Sequence, residues 1–122
     1  MHDKSFNFFR NDSELLALYN ELVNQLETLP NLTIKRRKSY SKMVVLCNHK
    51  NFSYISLLDD NGEFMSNGFK IIFRMNSKIC DDRIIKITEP HIGCFSHHVI
   101  IKTNFDINEQ LIGWLKESYV NA

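Results

Sequence analysis

Residues 43–58 read MVVLCNHKNFSYISLL. Met43 to Cys47 form an apolar, β-rich run. Phe52 to Leu58 alternates, which predicts Phe52, Tyr54, Ser56 and Leu58 on one face of a strand and Ser53, Ile55 and Leu57 on the other. The NHKN segment between the two runs reads as a hairpin loop. An antiparallel pair at this point makes the chain a sheet protein, and the rest is placed around it.

Downstream, Asp59-Asp60-Asn61-Gly62 is a turn signal, because Asn-Gly tolerates positive φ. Phe69, Ile71 and Phe73 then alternate with Lys70, Ile72 and Arg74, as a half-buried strand requires. Ile84 to Thr88 and His97 to Lys102 are further strand candidates, with Pro90 and Gly93 marking the loop between them. Upstream, Thr33 to Arg36 is a short one. The links are too short for helical crossovers, so the pairings are expected to be antiparallel.

Helices close both ends. Leu15, Leu18, Tyr19, Leu22, Leu26 and Leu29 recur at three- and four-residue spacing, which puts them on one helical face. Asp12 or Ser13 is the expected cap and Pro30 the stop. At the other end Asp106 and Glu109 form a capping-box pattern ahead of Ile107, Leu111, Trp114, Leu115 and Tyr119. Gly113 weakens this helix by about 1 kcal/mol relative to Ala and suggests a close approach to the sheet. The expected fold is α+β: a mainly antiparallel sheet of about five strands, with an N-terminal and a C-terminal helix packed on the same face. Trp114 is expected to be buried beneath the second helix.

The chain of 122 residues is expected to be one domain, 1–122, with residues 1–11 docked on it as an arm through Phe6, Phe8 and Phe9. Fifteen basic residues balance fourteen acidic ones, leaving a formal charge of +1. That balance singles out neither a nucleic-acid nor a membrane partner, and a local patch can hide inside it. No apolar run approaches the roughly 20 residues of a membrane span. Three cysteines, Cys47, Cys80 and Cys94, without a secretory leader fit free thiols and a cytoplasmic protein.

Four constellations compete as sites. His91, Cys94, His97 and His98 bring metal-ligand types together, but neighbours on a strand point to opposite faces; no metal or other cofactor is expected. Lys35-Arg36-Arg37-Lys38, with Tyr40 and Lys42, makes a candidate anion or nucleic-acid segment, set against a solvated loop. Asp59, Asp60 and Glu63 lack the Glu-x-Lys spacing of a metal-dependent nuclease. Cys47 and Cys94 stand near histidines, but Cys47 ends an apolar run, and a reactive thiol needs an exposed, electropositive setting. No P-loop, G-x-S-x-G or H-E-x-x-H is present.

Three stretches carry a resemblance. They are FFRNDSELLALYNELVNQLETLPNLTIKRRKSYSKMVVL (8–46), KNFSYISLL (50–58) and GCFSHHVIIKTNFDINEQLIGWLKESY (93–119). Together they resemble a bacterial family catalogued as domain of unknown function 5655. The last is the most specific: a His pair opening a strand, a short loop, then a helix bearing Trp. The resemblance implies a portable module, and it implies no activity. By position Lys42, His97 and His98 match its polar marks, and Trp114 and Tyr119 its aromatic ones. Many members lack a Cys where this chain has Cys94.

The leading expectation is therefore a non-catalytic binding or protein-interaction module that engages a protein partner or a second copy as a homodimer. Two alternatives stay open: a small enzyme or ligand-binding protein using the His97/His98 strand, and nucleic-acid or anion binding through residues 35–42. The candidate binding residues are Lys42, His97, His98, Arg36 and Arg37.

Overall fold

The computed structural model describes residues 13–36, 43–58, 61, 63, 65 and 68–121. The expected arm 1–11, most of the Asp59–Gly62 turn, and Arg37 and Lys42 lie outside the described residues.

Helix α1 spans Ser13–Leu26 and buries Leu15, Leu18, Tyr19, Leu22 and Leu26. Burial of each large apolar side chain contributes about 1.5–3 kcal/mol. The helix stops before Pro30: the chain turns through Asn31 at φ 61°, a left-handed conformation that Asn tolerates. Leu29 leaves the helix but still packs against the core.

Six strands follow: β1 (Thr33–Arg36), β2 (Met43–Asn48), β3 (Lys50–Ser56), β4 (Phe69–Met75), β5 (Ile84–His91) and β6 (Cys94–Ile101). They form one sheet in the order β1-β2-β3-β4-β6-β5. Every pairing is antiparallel. The β2–β3 link is tighter than NHKN suggests, because His49 alone turns the chain at φ 61°. The β5–β6 hairpin also extends further than expected, turning at Ile92-Gly93. Pro90 is accommodated because β5 is an edge strand.

Helix α2 spans Glu109–Asn121. The capping pattern resolves differently from the expectation. Asp106 belongs to a preceding 3-10 turn and accepts from the Lys102 and Thr103 amides at 2.8 and 3.0 Å. The cap of α2 is Asn108, whose Oδ1 accepts the Leu111 N–H at 3.1 Å. A cap accepts from a free N–H of the first turn, and Asn108 is the residue next to that turn.

Both helices pack on the same sheet face. Their apolar stripes join Val44, Leu46, Phe52, Ile55, Leu57, Phe69, Ile71, Phe73, Met75, Val99 and Ile101 in one core. Phe52 was expected to face the same way as Tyr54 but lies in this core. A bulge between Leu46 and Cys47 adds one residue to the β3 side, which moves Phe52 to the helix face. Trp114 is half-buried rather than buried. It stacks on Phe73 at 5.6 Å, and the Arg83 guanidinium lies 5.9 Å over its ring. Gly113 is exposed, and a Cβ there would meet nothing within 4 Å, so it does not serve a close approach. Gly68 does: a Cβ there would lie 2.5 Å from the Ile101 carbonyl oxygen.

Ser118 docks α2 where the bulge opens the ladder. The β3–β4 register ends at Ser53–Phe73. Beyond it, the Ser118 hydroxyl donates to the Phe52 carbonyl at 2.9 Å and accepts the Arg74 N–H at 3.2 Å. One buried side chain thereby satisfies two main-chain groups that the ladder leaves open. Tyr119 reaches back to the Pro30 carbonyl, tying α2 to the end of α1. No described helix is long and apolar enough to cross a membrane.

Candidate functional site

His97 and His98 diverge as neighbours on a strand must. His97 is fully buried on the helix face, and its ring stacks on Phe73 at 5.3 Å. Its Nε2 accepts the Ile79 N–H at 2.9 Å, which makes Nδ1 the protonated nitrogen, donating to the Phe95 carbonyl at 3.1 Å. Burial holds its pKa below the ordinary 6.5, against the smaller opposing effect of the Phe95 and Phe73 carbonyls. A neutral imidazole with both nitrogens committed is a structural pin. It fastens the 76–83 link, which carries the chain past the end of β6 to the outer strand β5. Arg83 secures the other end of that link on Asn108, Gln110 and the Asp106 carbonyl.

His98 lies on the opposite face, at 8% exposure, where it lines a hollow. Strand pairing explains where it sits. Tyr54 lies opposite Ile72, Ile72 opposite His98 and His98 opposite Lys86, so these residues form one row across four strands. Lys35 and Val45 extend the row on the other side. Adjacent rows hold Arg74, Ser96 and Thr88, and Met43, Ser56, Lys70 and Ile100. Met43, Val45, Cys47, Tyr54 and Ile72 form an apolar cluster separate from the main core. Neither α1 nor α2 packs on this face.

Charge is segregated between the two layers. The strands carry Lys35, Arg36, Lys50, Lys70, Arg74 and Lys86 against one acid, Glu89. The helices carry Glu14, Glu21, Glu109 and Glu117 against Lys116. Among the described residues, none that registers onto the face opposite α1 and α2 is acidic. A hollow of about 330 Å³ opens on this face, lined by Met43, Tyr54, Ile72, Arg74, Thr88, Pro90, Ser96 and His98. Arg74 stretches along Tyr54: its Nη2 donates to the phenol oxygen at 2.8 Å, and the guanidinium carbon lies 5.4 Å from the ring centre.

The structure brings only some of the expected site residues together. His98 lines the hollow, whereas His97 is locked away from it. Arg36 ends β1 opposite Val44. Strands β2 and β6 are separated by β3 and β4, yet Met43 and His98 line the same hollow. Arg74, Tyr54, Thr88 and Ser96 were missed. The signal that points to them is the scarcity of acid in all strand-forming segments. His91 pairs with Cys94 across the hairpin turn, but among the described residues no three of His, Cys, Asp or Glu converge. Cys47 is buried and its thiol donates to Asn51 Oδ1 at 2.9 Å.

No family model matches this chain, and neither a curated protein nor a solved structure matches it.

Proposed function

We propose that the domain is a non-catalytic binding module whose sheet face opposite α1 and α2 engages an acidic partner protein. The observation that supports this is the one-sided charge of the face: Lys35, Lys70, Arg74 and Lys86, from three strands, with no acid registered among them. A face of one sign steers a partner of the other sign and rejects like-charged ones. Between the cations the partly buried Met43 and Ile72 pack against the buried Val45 and Tyr54. Tyr, Met and Arg are residue types enriched at protein interfaces. Nucleic acid is less favoured, since Tyr54 and His98 are the aromatic rings of the face rows among the described residues and both are buried, whereas single strands need several open stacking platforms. A two-fold dimer through this face would set like charges together, so a homodimer is not part of the reading. Membership of the unknown-function family remains part of the proposal, resting on the three quoted stretches.

Site-specific photo-crosslinking in cells tests it. A crosslinker at Thr88, on the sheet face, is expected to yield a discrete protein adduct whose mass-spectrometric identity is an acidic protein. A crosslinker at Glu117, on the outer side of α2, is expected to yield none. Lys35→Glu with Lys86→Glu should abolish the Thr88 adduct, and the purified pair should bind less tightly as salt rises. Adducts equal at both positions, or insensitive to the charge reversal, would defeat the reading. A nuclease-sensitive adduct would replace the protein partner with nucleic acid.

A further inference from the structure

We propose that the hollow beside Arg74 is a carboxylate site that takes one acidic side chain of the partner; this rests on the binding-face reading above. Three observations support it. First, Arg74 is the one guanidinium of the hollow, and its unspent capacity is specific. Of its donors, Nη2 is committed to Tyr54, while Nε is buried and has no hydrogen-bond partner among the described residues. Buried polar donors are nearly always satisfied, and one that is not asks for an acceptor. A guanidinium offers parallel N–H bonds whose spacing matches the two oxygens of a carboxylate.

Second, the guanidinium is held in place before any ligand arrives. Its main chain is fixed from the helix side by Ser118, and its side chain is braced along the Tyr54 ring. A fork that is already ordered loses less freedom on binding.

Third, the surroundings suit a carboxylate on a short apolar stem. Ser96 lies opposite Arg74 and Thr88 opposite Ser96, so two hydroxyl side chains continue the row from Arg74 along the hollow. Met43, Ile72 and Pro90 supply apolar wall. No acid of the strands registers into the hollow to fill the fork from within.

The test is an amide and arginine Nε–H NMR titration of the whole chain with N-acetyl-glutamate amide as probe. N-acetyl-glutamine amide is the neutral isostere and inorganic phosphate the second anion. The glutamate probe is expected to shift Arg74 Nε–H and the Ser96 and Thr88 amides saturably, about tenfold more tightly than the glutamine probe, as loss of a charge-assisted pair implies. Arg74→Gln should remove the shifts, and Arg74→Lys should retain a weakened response without the fork. Thr88→Glu offers the fork an internal carboxylate and should block the probe while leaving the rest of the spectrum dispersed. This arm keeps the test decisive if Arg74→Gln unfolds. Equal binding of both probes, shifts unchanged in Arg74→Gln, or a Thr88→Glu chain that binds as the parent does would each overturn the site. Phosphate shifting the same resonances more strongly would overturn the choice of carboxylate. The titration needs no partner, so it fails independently of the crosslinking. A Thr88 adduct that survives Arg74→Gln would defeat the fork and leave the face standing.

Discussion

Acidification should weaken this domain through His97, and the size follows from its hydrogen bonds. The folded ring accepts the Ile79 N–H at Nε2. Protonation there breaks that bond and places a charge in a fully buried site. Its pKa is therefore lowered in the fold, by burial first, so between that value and 6.5 the unfolded chain binds more protons than the folded one. Stability then rises with pH across this window: the contribution is fully present above about 6.5 and is lost as pH falls below it. For one group the loss reaches at most about 1.4 kcal/mol between pH 7.5 and 5.5. His97→Phe isolates this term. It retains a ring to stack on Phe73 but orphans the Ile79 N–H and the Phe95 carbonyl, which should cost about 1–3 kcal/mol for each group left buried. Urea unfolding at pH 7.5, 6.5 and 5.5 measures both effects. The parent should be the more stable chain at pH 7.5, and its advantage should narrow at 5.5. An advantage that is constant or widens on acidification would refute the neutral-pin assignment, whatever the other histidines contribute, because those are common to both chains.

Three further outcomes follow from the packing. Ser118→Ala should cost about 1–3 kcal/mol in chemical denaturation, since it orphans the Phe52 carbonyl and the Arg74 N–H at once; a loss under about 0.5 kcal/mol, the level of a surface change, would show that α2 docks without it. Trp114→Ala should cost about 2–3 kcal/mol, below the 3–5 of a fully buried aromatic, because the ring is half-buried on Phe73; thermal unfolding with no shift would show the stack to be idle. Gly113→Ala should stabilise the chain by about 0.5–1 kcal/mol, since the added methyl meets nothing within 4 Å, and a lower melting temperature would contradict the exposed placement.

Periodicity placed both helices and the central strands β3 and β4, because an element that buries one face must repeat its apolar residues at the helix or strand period; the edge strands β1 and β5, largely exposed, were legible only as short β-rich runs between turn signals. Where the reading of the elements slipped, a single residue had shifted the bookkeeping. The bulge at Leu46/Cys47 sent Phe52 to the helix side, and Asn108 took the cap that the Asp106–Glu109 spacing had suggested. Neither leaves a periodic trace, since a bulge inserts one residue without changing the residue types around it.

Strand alternation alone determined that His97 and His98 diverge. Which of them is locked depended on the 76–83 link, whose Ile79 amide reaches Nε2 from 18 positions away in the chain. The charged face shows the same division. By itself the sequence determined that the strand-forming segments are basic and the helices acidic, within a net charge of +1. Alternation within one strand already put Lys70 and Arg74 on the same side, but that Lys35 and Lys86 join them on one face was decided only by strand order and register, because which residues lie beside a side chain depends on how strands distant in sequence pair.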